Sequence, residues 1–297
     1  MSTLALQRPK RAPASRSSSS SGRSERAVGA TSHAVLVIWT VLVIAPLLWT
    51  VMSSLKTSRE IFASPFSLPS SPQFVNYVNA WQSAGIGRFF ANSVIVVSSA
   101  LVITMLLGAM SAYVLARFRF PGRGLIHTLI IAGLTFPVFL AVVPLFFILQ
   151  QIGVLNTLPG LVLSYAAYAF PFTVFFLTSF FRDVPDEIAE AAALDGASEW
   201  RTFFQIMLPM AAPGMASVAI LNFVGLWNQF LLPVVLNSDR DNYVLTQGMA
   251  AFASQAGYSV DFGALFAGAV LTIIPVLILY LVFQRRLQGS MAQGTSK

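Results

Sequence analysis

The sequence predicts an all-α integral membrane protein that crosses the bilayer six times, with both termini in the cytoplasm. Hydrophobic residues make up 56% of the 297-residue chain and charged residues only 10%, and the mean hydropathy is +0.73. Soluble globular domains carry about 25% charged residues. Six apolar stretches are each long enough to cross a hydrocarbon core of roughly 30 Å as a helix. The basic residues between these stretches are unevenly distributed, as in multi-pass membrane proteins.

The N-terminal segment 1–31 precedes the first apolar stretch and is rich in Ser, Arg, Ala and Pro. Because it has no apolar face to bury, we predict a disordered cytoplasmic tail. The apolar stretch that follows is long and lacks a small-residue cleavage site, which indicates a retained anchor and not a signal peptide.

The rest of the chain, 32–297, is predicted to form one six-span membrane domain. Prolines inside an apolar stretch are expected to kink the helix that it forms. The predicted spans are 34–52, 92–116, 125–149, 159–181, 213–236 and 262–283.

The distribution of basic residues predicts the orientation of these spans. With the N-terminus inside, 14 of the 18 Lys and Arg residues fall on the cytoplasmic side and 4 fall outside, and an excess of Lys and Arg marks cytoplasmic loops. The net charge of +7 therefore reflects topology. No basic stripe is interleaved with aromatic residues, so we expect no nucleic-acid partner. The four outer basic residues are Lys56, Arg59, Arg88 and Arg240.

Composition also excludes several kinds of chemistry. Cysteine is absent, and His33 and His127 are the only histidines, so we expect no metal site. The chain has no glycine-rich phosphate loop ending in Lys-Ser or Lys-Thr and cannot hydrolyse ATP alone. We therefore expect no catalytic residue and no cofactor in this chain.

The predicted spans carry no acid or base near their middle, as a proton-coupled carrier would need. A sodium-coupled secondary transporter or a channel, which can use backbone and hydroxyl oxygens, is the alternative to an energy-coupled permease. An intramembrane enzyme or scaffold is disfavoured because no catalytic constellation is present.

One polar segment, 182–209, interrupts the apolar chain between the fourth and fifth predicted spans. A charged, helix-prone segment in this position must face water, and its topology places it in the cytoplasm. It contains six of the eleven acidic residues of the chain: Asp183, Asp186, Glu187, Glu190, Asp195 and Glu199.

Local signals in this segment predict a helix, a turn and a second helix. Asp183 is expected to cap the first helix, whose first turn is acidic. Gly196 is expected to end it, because only glycine takes a positive φ at no steric cost. Ser198 is expected to cap the second helix, which ends at Pro209. The result is a compact cytoplasmic knob, 182–209, that fits a groove of a soluble partner; the alternative is an amphipathic loop on the membrane surface.

The outer segment 53–90 is rich in Pro and Ser and is predicted to be partly ordered, with an interfacial helix around 74–84. Its aromatic residues either anchor it at the membrane surface or form a docking rim, and anchoring is favoured. These aromatic residues are Phe62, Phe74, Tyr77 and Trp81.

An ordered set of residues in the knob resembles the EAA loop of permease subunits of ABC importers. Further segments resemble the carbohydrate-uptake branch of that family, close to the MalG-type subunit of maltose-like importers, and the resemblance covers about 34–297. The residues in the knob are Glu190-Ala191-Ala192, Asp195-Gly196-Ala197, Ile206 and Leu208-Pro209, and the further segments are Ser54-Leu55-Lys56-Thr57, Ala112-Tyr113, Ala116–Arg123 and Gly225–Phe230.

The resemblance implies the type I ABC importer permease fold, in the inner membrane of a bacterial cell. The chain would be a non-catalytic half of the translocation pathway for an oligosaccharide or amino sugar. It would pair with a second permease subunit, two ATPase subunits that supply ATP hydrolysis, and an extracytoplasmic sugar-binding protein. The residues implied to couple to the ATPase subunits are Glu190, Ala191, Ala192, Asp195 and Gly196.

The fifth predicted span carries amides and an indole that the resemblance places near the translocation pathway. Amides are costly in lipid and need partners or a water-filled cavity. Asn222 and Gln229 are seven residues apart and are expected to share one helix face. Two interpretations stay open: these side chains line the substrate path, or they join helices by hydrogen bonds. The candidates are Asn222, Trp227, Asn228 and Gln229, with Tyr165 and Tyr168 as weaker ones.

Overall fold

The computed structural model of the chain describes residues 21–254 and 261–294, and within these two ranges it contains helices and no strand. The helices are α1 Ser21–Ser54, α2 Ser58–Ala63, α3 Val75–Val78, α4 Ile86–Arg117, α5 Arg123–Thr135, α6 Val138–Gln151, α7 Leu158–Asp183, α8 Asp186–Leu194, α9 Glu199–Thr202, α10 Leu208–Met210, α11 Ala212–Trp227, α12 Leu231–Leu236, α13 Leu245–Ser254 and α14 Phe262–Gly294. Single π-helical turns continue α3 over Asn79–Ser83 and α9 over Phe203–Met207.

The chain divides into two compact units, Met1–Trp49 and Thr50–Lys297. In the first unit, α1 begins at Ser21, within the segment 1–31 that was predicted to be a disordered tail. Residues 1–20 of that predicted tail lie outside the described residues. The second unit contains the knob and the remaining predicted spans.

Among the residues that the structure describes, four continuous helical stretches are long and apolar enough to cross a membrane. Each contains one predicted span, namely the first, second, fourth or sixth, and extends it at one or both ends. These stretches are Thr31–Ser54, Ile86–Arg117, Leu158–Asp183 and Phe262–Gln284.

The third predicted span, 125–149, is not one continuous helix. It consists of α5 and α6, which meet at an angle of 107°. Pro137 lacks an N–H and disfavours the helical conformation in the residue before it. Phe136 accordingly adopts an extended conformation, with φ −74° and ψ 122°. The proline kink that the sequence predicted is therefore a break between two helices.

The fifth predicted span, 213–236, also differs from one continuous helix. The helix α11 ends at Trp227, and Asn228 follows as its C-cap. The Nδ2 atom of Asn228 donates to the carbonyl of Val224 at 2.8 Å, and Thr246 Oγ1 donates to the carbonyl of Gln229 at 2.7 Å. These bonds satisfy backbone groups of the break, so the chain can leave the helix inside an apolar environment.

The helices α4 and α7 pack closely along their length at the centre of the second unit. A Cβ added to Gly108 would lie 2.5 Å from Cγ2 of Thr173, so the missing side chain lets the two helices approach. One turn away, Thr104 Oγ1 donates to the carbonyl of Ala166 at 3.2 Å. This contact sets the position of the elements that carry the candidate site.

We predict that Gly108→Leu destabilises the protein, because added carbon atoms at this contact force α4 away from α7. Overpacking of this kind costs about 1–3 kcal/mol, and the thermal unfolding midpoint in detergent should fall. The matched control is Gly225→Ala in α11, where an added Cβ meets no atom within 4 Å. Because Ala is the better helix former by about 1 kcal/mol, this variant should unfold no earlier than the parent protein. Equal losses in both variants would contradict the packing argument.

Candidate functional site

The knob folds as a helix, a turn and a second helix, as its sequence predicted. Gly196 has a φ of +74° and separates α8 from α9. The side chain of Ser198 accepts a hydrogen bond from the backbone N–H of Arg201, so it caps α9 as predicted. The turn is closed by the N–H of Ala197, which donates to the carbonyl of Ala192 at 3.0 Å.

The predicted cap at Asp183 is wrong. The helix α7 continues through Asp183, and Pro185 occupies the N-cap position of α8 without a side-chain hydrogen bond. A residue before proline favours the extended conformation, and Val184 adopts it with φ −74° and ψ 129°. The N-cap of α8 therefore lies two residues after the predicted one.

The first helix of the knob is held by a cation from the end of the second span. The Nη1 atom of Arg117 pairs with Asp186, and its Nη2 atom donates to the carbonyl of Val184. The Arg117 side chain is 9% exposed, whereas that of Asp186 is 84% exposed. A nearly buried guanidinium that binds a backbone carbonyl and a carboxylate fixes the start of α8 relative to the end of α4.

The second helix of the knob belongs to an aromatic core at the end of α4 and α7. The ring centroid of Tyr113 lies 5.7 Å from that of Phe181 and 5.1 Å from that of Phe203. Met207 is fully buried in the same cluster. Aromatic pairs at such distances add stabilisation beyond the area that they bury. The knob is thus anchored through both of its helices.

Four of the five predicted coupling residues are exposed on the knob: Glu190, Ala191, Asp195 and Gly196. The fifth, Ala192, is only 5% exposed and packs inward. Leu194 and Trp200 were not among the predicted coupling residues, yet their side chains are 89% and 63% exposed. Large apolar side chains beside exposed small residues give this face the character of an interaction surface.

A cavity of about 710 Å³ lies between α5, α6, α7, α11 and α12. Small-molecule sites in proteins typically measure about 300–1,000 Å³. Its wall is mostly apolar, and the residues that line it carry no ionisable acid or base other than a tyrosine. The residues that bear on its chemistry are Phe136, Ser164, Tyr168, Phe172, Asn222 and Gly225.

Asn222 is placed both to line this cavity and to join two helices. Its Nδ2 atom donates to Thr173 Oγ1 at 2.7 Å, and Thr173 Oγ1 in turn donates to the carbonyl of Ala169 at 2.9 Å. The residue is 6% exposed and lines the cavity. The structure therefore supports both interpretations of this amide that the sequence left open.

The other three predicted pathway residues do not line the cavity in the described part of the chain. Trp227 is buried, and its Nε1 atom donates to the carbonyl of Thr272 at 3.1 Å. Asn228 bonds to the end of its own helix, and the Gln229 side chain accepts from the N–H of Phe230 at 3.1 Å. Because α11 ends at Trp227, Asn222 and Gln229 do not share a helix face, and that expectation is wrong.

Tyr168 lines the cavity, whereas Tyr165, the other weaker candidate, is buried in the core. The aromatic residues Phe136 and Phe172 also line it and were not predicted from the sequence. Their signal was weak, because phenylalanine is common throughout the third and fourth predicted spans.

Comparison with known proteins identifies a family for this arrangement. Residues 104–293 match the model of the family described as binding-protein-dependent transport system inner membrane component. The chain is 64% identical over 272 residues to the diacetylchitobiose uptake system permease protein of Streptomyces coelicolor, covering 92% of this chain and 90% of that protein. It is 34% identical over 252 residues to the trehalose transport system permease protein of Mycobacterium tuberculosis, covering 85% and 92%.

Two solved structures share the fold. One is a bacterial ABC transporter involved in the import of the acidic polysaccharide alginate, with a TM-score of 0.78 and 21% identity over 89% of this chain and 97% of that chain. The other is the alginate ABC transporter in complex with an alginate pentasaccharide-bound periplasmic protein, with a TM-score of 0.67 and 15% identity over 89% and 96%. The likeness extends over nearly all of the matched chains.

We predict that Arg117→Met loosens α8, because the methionine keeps an apolar stem but loses both charged contacts. Amide hydrogen exchange in α8 should become about tenfold faster, which corresponds to about 1.4 kcal/mol, while exchange in α4 and α7 stays unchanged. The matched control is Arg119→Met, which replaces an exposed arginine two residues later. Unchanged exchange in α8 of the Arg117 variant would show that this guanidinium does not hold the knob.

Proposed function

Because the chain belongs to the family of binding-protein-dependent transport system inner membrane components, we propose that it is one permease subunit of an ATP-driven sugar importer. The family makes it a multi-pass component of the inner membrane with a permease role and not an enzyme. The observation that carries the proposal is the knob, an exposed helix and glycine turn anchored to two spans in a chain without a nucleotide-binding loop.

In this proposal two ATPase subunits supply ATP hydrolysis. The exposed face of the knob docks into an ATPase groove. Glu190, Asp195 and Gly196 offer two carboxylates and an open backbone to the partner, and Leu194 offers a large apolar contact. Helix-in-groove recognition uses such apolar anchors. Ala192 is buried within this chain, and its carbonyl closes the turn by accepting from the N–H of Ala197. In this proposal it does not contact the partner.

Motion of the knob reaches the spans through the contacts described above. Arg117 links α8 to the end of α4, and the rings of Tyr113, Phe181 and Phe203 link α9 to α4 and α7. Closure of the ATPase subunits on ATP then moves the knob, and the knob shifts the spans between inward-open and outward-open states. A rigid linkage is needed because packed interfaces switch between discrete arrangements instead of deforming continuously.

The proposed cargo is a neutral sugar, an oligosaccharide or amino sugar, with an N-acetylated disaccharide favoured. The 64% identical relative is named for diacetylchitobiose uptake, and a more distant one for trehalose. A cavity with an amide, aromatic rings and otherwise uncharged walls suits hydroxyl, acetamido and apolar sugar faces. We also propose that a second permease subunit completes the pathway and that an extracytoplasmic binding protein delivers the sugar.

The proposed coupling is tested by Glu190→Lys combined with Gly196→Asp in the complete importer, reconstituted in liposomes. Reversed charge and a side chain at positive φ should disrupt docking, so sugar uptake and sugar-stimulated ATPase activity should both fall at least tenfold. The matched control is Asp183→Lys, which makes the same charge reversal as Glu190→Lys at an exposed position outside α8. Uptake and stimulated ATPase activity that both survive the double substitution would refute the coupling role. Ion-gradient-driven uptake by the purified chain alone would instead support a secondary transporter or channel.

A second test separates the two interpretations of Asn222. The substitution Asn222→Leu keeps the number of side-chain heavy atoms and the branch at Cγ but removes the amide, and Thr173 keeps its bond to Ala169. We predict at least tenfold slower sugar uptake with less than about 1 kcal/mol lost in stability, since such interhelical bonds average about 0.6 kcal/mol. The control Gln151→Leu removes an exposed amide that does not line the cavity and should leave uptake unchanged. Normal uptake with a lowered unfolding midpoint would assign Asn222 to helix packing alone.

A further inference from the structure

The outer segment between the first and second spans has an unusual composition for a water-exposed loop. From Ile61 to Gly87 the sequence contains no Asp, Glu, Lys, Arg or His. Its nearest lysine, Lys56, is fully buried, and its Nζ atom donates to the carbonyls of Ser64 at 3.0 Å and Pro65 at 3.2 Å. The surface from Ile61 to Gly87 is therefore neutral.

Within this segment, α3 and its π-helical continuation form a short helical rod, Val75–Ser83, with two different faces. One face is held by polar contacts: Asn76 Nδ2 donates to the carbonyls of Ser54 and Lys56, both at 2.8 Å. The opposite face has no such contacts and carries apolar side chains at helical spacing. Their exposed fractions are 68% for Phe74, 53% for Val75, 52% for Val78 and 45% for Trp81.

The face of the rod that makes the polar contacts fixes the position of the rod along the length of the spans. Asn76 contacts the end of α1, and a Cβ added to Gly263, at the start of α14, would lie 2.5 Å from its Nδ2 atom. Asn79 Nδ2 donates to Asp261, the residue before α14, at 3.3 Å. The rod thus lies at the ends of two spans, which is the level of the membrane boundary.

Trp81 contacts the start of a third span, α4, which places the rod at the membrane boundary there as well. Its ring centroid lies 5.8 Å from that of Phe90 in α4, and a Cβ added to Gly87 would lie 2.7 Å from the indole. The indole is therefore seated on the first turn of α4 while nearly half of it stays exposed. Tryptophan is enriched at this depth because one part of its ring system is apolar and the N–H prefers a wet environment.

Another extracytoplasmic segment, 237–242, provides a contrast. It carries Asp239, Arg240 and Asp241, and Asp241 pairs with Arg88 at 2.6 Å. A surface that meets a soluble protein is expected to carry a polar rim and charges that steer the encounter. The exposed apolar face of the rod carries no charged residue, so it suits a lipid surface better than a protein partner.

We propose that the exposed face of the rod Val75–Ser83 is an interfacial anchor, which inserts Phe74, Val78 and Trp81 into the headgroup and upper acyl region of the outer leaflet. The anchor holds the outer segment on the bilayer beside the ends of the spans. A short amphipathic element of this kind lies in the plane of the interface, with its apolar side chains directed towards the acyl chains. The proposal rests on the orientation of the spans and is independent of coupling at the knob.

The absence of cysteine from the sequence permits a direct test with nitroxide spin labels on the purified full chain. Val78→Cys and Phe74→Cys variants are labelled and reconstituted in nanodiscs of phosphatidylethanolamine and phosphatidylglycerol. Collision rates with oxygen, which partitions into lipid, are compared with those of a water-soluble nickel chelate. The matched control is Arg240→Cys, an exposed position in the charged outer segment.

We expect an oxygen-to-nickel collision ratio at positions 74 and 78 that is severalfold higher than at position 240, with and without the other importer subunits. A ratio at both positions equal to that at 240 would overturn the proposal. So would labels that become shielded from nickel only when the binding protein is added to the assembled importer, since that result would assign the rod to protein docking. Labels at both 74 and 78 guard against one variant that fails to fold.

Discussion

The contact of the Tyr113 ring with Phe181 and Phe203 joins two spans and the knob in one hydrophobic core. Each of these residues comes from a different element, so α4, α7 and the second helix of the knob cannot move independently without opening this core. Arg117 adds a polar contact to the first helix of the knob. Because close-packed interiors transmit displacement and resist gradual deformation, the aromatic core is the constraint through which an external force on the knob can reach the membrane helices.

A second constraint is that every break in a membrane helix must satisfy its own backbone. The break after Trp227 does so with Asn228 and Thr246, and the break at Pro137 has one donor fewer to satisfy because proline has no N–H. These two breaks lie beside the cavity, since α5, α6, α11 and α12 contribute residues to its wall. Continuous helices packed side by side would leave little room there, so the departures from simple spans leave the space that the cavity occupies.

Local rules predicted those parts of the fold that depend on few residues. Gly196 and Ser198 specify a turn and a cap through their own backbone and side chain, and both behave as expected. The bend between α5 and α6 was predicted only as a kink, because a proline indicates that a helix is disturbed and not by what angle. The end of α11 was missed because Leu231–Leu236 continues the apolar composition beyond it. The cavity was beyond local rules altogether, because its wall is assembled from five helices.

A carrier that works without an ATPase partner must both bind its cargo and couple to its energy source within the membrane. In the proposed mechanism these two tasks belong to different parts of the chain, the cavity wall and the knob. A carrier driven by protons needs a titratable group inside the membrane, and such groups are costly there. The described wall of this cavity has no ionisable group other than a tyrosine hydroxyl, while the acidic residues of the knob lie at or beyond the end of the fourth span. If free energy enters at the knob, as we propose, the membrane interior has no need of charge, and its few polar groups, such as Asn222, are free to recognise an uncharged ligand. The scarcity of charge that first identified a membrane protein is thus also consistent with the way in which it would be driven.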